Sequence, residues 1–197
     1  MSEVAVVAPD GRRLSVGVRI SVGAAQDLAS TVESMQPLAR SKGHEIRWLS
    51  PASYHVNLHY LGWAHTEIDS ALRTTLADAA RDAKPFEFSM KGLGAFPSTQ
   101  KAKVLWAAVS RGKDELSALT ERIETATTDL GFAAADKRRS PYVTFARTDK
   151  SIDASGLLLP FSDDNVRKTQ VTRIALFDTS SNGDGLTTVA EWTLGAS

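Results

Sequence analysis

The 197-residue chain balances 23 Lys plus Arg against 23 Asp plus Glu and contains no cysteine. The length suits one domain, or two small lobes sharing a core, with enough buried surface to need no covalent staple. Charge balance leaves no overall field to draw in nucleic acid, so phosphate recognition has to be local, and the missing cysteine rules out disulfide frameworks and thiolate metal sites.

Residues 1–13 read as a poorly ordered lead-in ending at the Asp10-Gly11 turn, without the basic start of a secretory signal. Residues 14–197 read as a single bilobal domain. No apolar run reaches membrane-spanning length, so the expected location is the cytoplasm. LSVGVRISV (14–22) alternates as a strand. A helix follows over 24–36 with Leu28, Val32 and Met35 on one face, limited by Pro37. IRWLS (46–50) and YHVNLHYL (54–61) are strand-like. Residues 66–83 carry Ile68, Leu72, Leu76 and Ala79/Ala80 at helical spacing. FEFSMKGL (86–93) and KVLWAAVS (103–110) are strands, and 113–130 is a third helix with Gly131 just beyond it. PYVTFART (141–148) is a strand, 149–169 a surface loop, and TRIALFDTS (172–180) with LTTVAEWTL (186–194) a hairpin around SNGDG (181–185).

Strand, helix and polar strand recur in that order before His55 and again before Tyr142. Such a repeat of element order implies two similar lobes, each offering one strand to a common cleft. Alternation puts His55, Asn57 and His59 on one face of the first strand. It puts Tyr142 and Thr144 together on the second, with Arg147 on the opposite face. Lys137, Arg138 and Arg139 sit just ahead of the second strand, at the expected cleft mouth. Trp48, Trp106 and Trp192 are expected to fill the core. Trp63 is expected to pack at the core or the rim, with stacking on a base as the sharper reading. His55-x-Asn57-x-His59 gains no carboxylate, so no metal is expected. Gly92-x-Gly94 reads as a turn and not as a dinucleotide loop.

PASYHVNLHYLG (51–62) resembles the first signature, His-x-Thr-Leu-x-Phe-Leu-Gly, of the two-histidine phosphoesterases, in the branch of bacterial RNA 2',3'-cyclic phosphodiesterases called 2'-5' RNA ligase-like. PYVTFAR (141–147) resembles the second, Pro-His-x-Thr-Leu-Ala-Arg, and PFEFSMKGLGAFPSTQKAKVLWAAV (85–109) resembles the stretch between them, a Gly-x-Phe-Pro turn followed by a Leu-Trp strand. The resemblance implies a bilobal α+β fold, two antiparallel sheets around a V-shaped cleft with helices outside. It implies metal-free and cofactor-free acid–base hydrolysis of a cyclic phosphate or short RNA. By position, His55 and Tyr142 would be catalytic. Asn57, Thr144, His59, Arg147 and Arg139 would bind substrate.

The chain departs from the pattern at Asn57, where the family has threonine, and at Tyr142, where it has the second histidine. An amide N–H replaces a hydroxyl donor readily. A phenol with a reference pKa of about 10 is a poor base near neutrality but an adequate acid or donor. Three outcomes follow: exchanged roles with His55 as base and Tyr142 as acid, a slower or more selective phosphodiesterase, or a nucleotide-binding module without turnover.

Overall fold

The structure, a computed structural model, describes residues 11–134, 140–180 and 186–196. Two antiparallel sheet halves make up its centre. One runs in the order β3 (His55–Ala64), β1 (Arg12–Arg19), β8 (Arg173–Asp178), β9 (Thr187–Thr193). The other runs β6 (Tyr142–Ile152), β5 (Ala102–Arg111), β4 (Phe86–Phe96), β7 (Asn165–Val171), with the short β2 (Arg47–Trp48) also on β6. The halves join through β3 and β6 at the pair Val56↔Val143. The curled antiparallel sheets and outer helices are the α+β architecture expected from the sequence.

Helix α1 (Val22–Ser41) packs on β7, while α2 (Asp69–Arg81) and α3 (Lys113–Thr128) pack on each other and against β9 and β3. Ser21 caps α1 by accepting from the Ala24 N–H at 3.2 Å. Leu28, Val32, Met35 and Ala39 are at most 4% exposed. Removing side chains like these from water stabilises a fold by about 1.5–3 kcal/mol for each large one. This stripe explains why α1 runs through Pro37 to Ser41 instead of stopping there. Pro37 lacks the N–H that would bond the Glu33 carbonyl, Glu33 is exposed to water, and Ala39 continues the buried face beyond it.

The segment 149–169 is a second departure. It holds the end of β6, a short helix α4 (Ser155–Leu158) and the first part of β7, which pairs with β4 from Phe86↔Val171 to Lys91↔Asn165. Strand β7 sits at the end of the sheet order, and its exposed Arg167, Lys168 and Gln170 give it a polar, loop-like sequence. The hairpin expectation is met by the pairing of β8 with β9, while its turn, 181–185, lies outside the described residues. Of the lead-in, residues 1–10 also lie outside them, and Arg12 and Arg13 already belong to β1. No described helix is long and apolar enough to cross a membrane.

Candidate functional site

Val56 and Val143, at 1% and 0% exposure, point into the core under the helices. Their chain neighbours therefore point to the opposite, concave face. One step either side of the Val56↔Val143 pair, antiparallel register sets His55 opposite Thr144 and Asn57 opposite Tyr142. Directly opposed Cβ atoms lie ~5 Å apart and diagonal ones ~7–8 Å. The four motif residues thus form a compact quadrilateral with His55 and Tyr142 on one diagonal. Side chains of that length can reach a common tetrahedral anion.

Two bulges change the reading of the strands beyond this quadrilateral. The β1–β3 register shifts so that Gly17 faces Asn57 but Val16 faces His59, leaving Leu58 as the extra residue. The phase of β3 flips there. His59 turns into the core at 2% exposure, its Nε2 2.9 Å from the Ala133 carbonyl and its Nδ1 2.8 Å from Thr127 Oγ1 on α3. His59 is thereby removed from the cleft-facing set that simple alternation gave it, and Tyr60 takes the exposed face instead. In β6 the pairs Trp106↔Thr144 and Leu105↔Ala146 make Phe145 the extra residue. Ala146 turns into the core and Arg147 returns to the face of Tyr142 and Thr144, not the opposite face that simple alternation gave it. Arg139 lies outside the described residues, as do Lys137 and Arg138.

His55 is fixed from several sides. Its Nδ1 lies 2.7 Å from the Ser53 carbonyl oxygen, which can only accept. The neutral ring therefore carries its proton on Nδ1 and a lone pair on Nε2. The ring packs 5.2 Å from that of Phe177. Burial holds the imidazole pKa below its usual value; the Ser53 bond opposes this, and the nearby Arg19 and Arg147 cations reinforce it. Arg19 pairs with His55 across the ladder. Its guanidinium donates to the Ala52 carbonyl and, at 2.8 Å, to Thr188 Oγ1, and lies 5.0 Å from the Phe177 ring centre. Sequence reading missed Arg19. The signal was a lone charged residue at the end of an apolar strand, in step with Gly17 on the cleft face.

Gly17 is what allows this arrangement. A Cβ there would stand 2.6 Å from the Val56 carbonyl, 3.1 Å from the Phe177 ring and 3.2 Å from the His55 ring.

Tyr142 sits at the start of β6, its ring 5.1 Å from Phe96 and 5.9 Å from Trp106, which themselves lie 5.1 Å apart. Trp106 therefore lines the cleft face of β5, not the core expected for it. Its indole lies across Gly94, where a Cβ would come within 2.3 Å of the ring. Gly94→Ala is expected to push Trp106 away and carry Tyr142 with it. A shift of the order of an ångström at a reacting group lowers rates by about 100-fold. The check is kcat for cyclic phosphate hydrolysis beside the near-ultraviolet dichroism of the aromatic cluster, both of which should change.

The arrangement is a neutral imidazole with a lone pair, a phenol across from it, two neutral donors and two arginines. It suits a phosphate oxyanion held while protons move on both sides. Among the described residues no group of three or more His, Asp or Glu side chains could hold a metal ion.

Comparison with known proteins gives the family and the fold. The model of the 2'-5' RNA ligase superfamily matches residues 25–183. The chain is 28% identical over 155 residues to the RNA 2',3'-cyclic phosphodiesterase of Aquifex aeolicus, covering 76% of this chain and 82% of that one. It is 26% identical over 167 residues to the protein of the same name from Bacillus subtilis, covering 85% and 87%. Among solved structures, TT0787 of Thermus thermophilus has a TM-score of 0.74 at 20% identity, covering 93% of this chain and 98% of that chain. E. coli LigT complexed with 3'-AMP has a TM-score of 0.69 at 17% identity, covering 94% and 99%.

Proposed function

Because the chain belongs to the 2'-5' RNA ligase superfamily, the two-histidine phosphoesterases, we propose that it hydrolyses 2',3'-cyclic phosphates at RNA ends, with His55 as general base and Tyr142 as general acid. The curated relatives are named for that activity. The observation that carries the role assignment is the tautomer of His55: its Nδ1–H is committed to the Ser53 carbonyl, so Nε2 is the free base.

In this mechanism Nε2 of His55 takes a proton from a water that attacks phosphorus. The bond from phosphorus to one ribose oxygen breaks, and the Tyr142 hydroxyl gives that oxygen its proton. One water is consumed, and the products are a phosphomonoester and a free ribose hydroxyl. Solvent then returns a proton from His55 to Tyr142. The Asn57 amide and the Thr144 hydroxyl donate to the two non-bridging oxygens, and Arg19 and Arg147 offset the anion's charge.

A nucleotide-binding module without turnover is the second reading. It is favoured by the packing of Tyr142 against Phe96 and Trp106, which would also suit an aromatic cap. The pH dependence of kcat/KM on a 2',3'-cyclic nucleotide separates the two. A lowered His55 pKa keeps the base unprotonated through neutrality, so the rate should be level from pH 8 down to about 6.5, an ordinary imidazole pKa, and fall only below it. An acid limb at or above that value contradicts His55 as base. Binding without any turnover over days contradicts the enzyme.

A further inference from the structure

The concave face of β3 continues past the motif. The pairs Gly17↔Asn57, Ser15↔Tyr60 and Arg13↔Trp63 keep those β3 residues in step with the cleft side of β1, while Leu14, Val16 and Val18 face the core at 4%, 0% and 2% exposure. A second register shift, between Leu14 and Ser15, makes this possible. The positions presented to the cleft therefore run His55, Asn57, Tyr60, Trp63. Tyr60 and Trp63 are 46% and 48% exposed, so two large aromatic side chains stand open to water along one face of the strand. Arg13 ties into them: its Nε donates to the Tyr60 hydroxyl at 2.8 Å, and its guanidinium stands 5.5 Å from the Tyr60 ring centre.

We propose that Arg13, Tyr60 and Trp63 form a subsite for the unpaired nucleotides on the 5' side of the one that bears the reacting phosphate, so that the preferred ligand is a single-stranded RNA end and not a mononucleotide. This deepens the phosphodiesterase reading and rests on it for the position of the phosphate. Successive cleft-facing positions on a strand lie about 7 Å apart, two residues at ~3.3 Å each, with each bulge adding slightly. Bases stacked in a helix are only ~3.4 Å apart. Platforms at the wider spacing take bases that have come apart, as single strands present them. Aromatic faces accept any base, and the guanidinium beside them meets the backbone phosphate. In a chain of zero net charge, an RNA backbone is drawn by local cations, and Arg13 adds one beside the two at the centre.

The test is calorimetric binding of 3'-AMP and of a 3'-phosphorylated tetra-adenylate, which needs no turnover. The tetranucleotide should bind at least ~10-fold tighter, since one stacked base contributes about 5- to 150-fold. Tyr60→Ala with Trp63→Ala should abolish that advantage and leave 3'-AMP affinity within about twofold, whereas Tyr60→Phe, which keeps the ring, should retain most of it. Equal affinity of the native protein for the two lengths overturns the proposal. So does a double variant that weakens both ligands alike. If the length preference tracks these residues but no cyclic phosphate is hydrolysed, the subsite stands and the catalytic reading falls. If hydrolysis proceeds and the native protein binds both lengths equally, the reverse holds.

Discussion

His55→Gln is expected to lower kcat for 2',3'-cyclic nucleotide hydrolysis by about 100- to 10,000-fold, the usual contribution of one positioned acid or base. Glutamine fills the space over Gly17 and Phe177 and keeps a donor, but it takes no proton. The loss should therefore fall on kcat, while KM moves by less than about threefold, because binding rests on Asn57, Thr144 and the arginines. The acid limb of the pH profile should vanish with the imidazole. Folding should also become less pH-sensitive. A ring whose folded pKa is depressed binds more protons unfolded than folded, so its neutral form holds full stability above the ordinary 6.5 and loses it as pH falls. A variant that keeps both the rate and the acid limb removes His55 from the chemistry.

Tyr142→Phe is the second large effect. The ring keeps its contacts with Phe96 and Trp106, so stability should change by less than about 0.5 kcal/mol. The lost hydroxyl leaves the ribose oxygen to depart without a proton, and kcat should drop by about 100-fold or more. Tyr142→His tests the same position in the other sense. An imidazole gives and takes protons near neutrality, so kcat at pH 7 should rise, by about 10-fold, at the expense of about 1 kcal/mol in stability from the thinner packing. Kinetics on both variants, with thermal unfolding alongside, decide whether the phenol acts as an acid or only caps the sheet. Unchanged kcat in Tyr142→Phe makes it a cap.

The central pair of strands was legible because it obeys the simplest rule. Each motif alternates polar and apolar residues around a valine, and Val56 and Val143 do meet face to face in the core. Beyond the motif the rule fails for a definite reason. A bulge adds one residue to one strand only, and no periodic feature of YHVNLHYL or PYVTFAR marks Leu58 or Phe145 as that residue. Counting by twos therefore put His59 in the cleft and Arg147 behind it, and the register shifts exchange them. Arg19 went unseen because its importance comes from the strand beside it, a relation that pairing creates and sequence separation hides. The polar β7 hid as a loop because Arg167, Lys168 and Gln170 face water and separate its buried Val166, Thr169 and Val171. Pro37 was overruled by tertiary burial of Ala39. Residues 135–139 contain the basic run expected at the cleft mouth and lie outside the described residues, so Arg139 keeps only its sequence-based role.

The mechanism requires that the imidazole of His55 and the phenol of Tyr142 serve a single phosphoryl group. A crystal structure of the protein with vanadate or inorganic phosphate tests it most directly. The predicted result is one anion with an oxygen ~2.6–3.2 Å from His55 Nε2 and another at the same range from the Tyr142 hydroxyl, the Asn57 amide and Thr144 hydroxyl closing the other two corners. An anion bound by the arginines alone, or touching His55 while Tyr142 stays turned into Phe96 and Trp106, contradicts it.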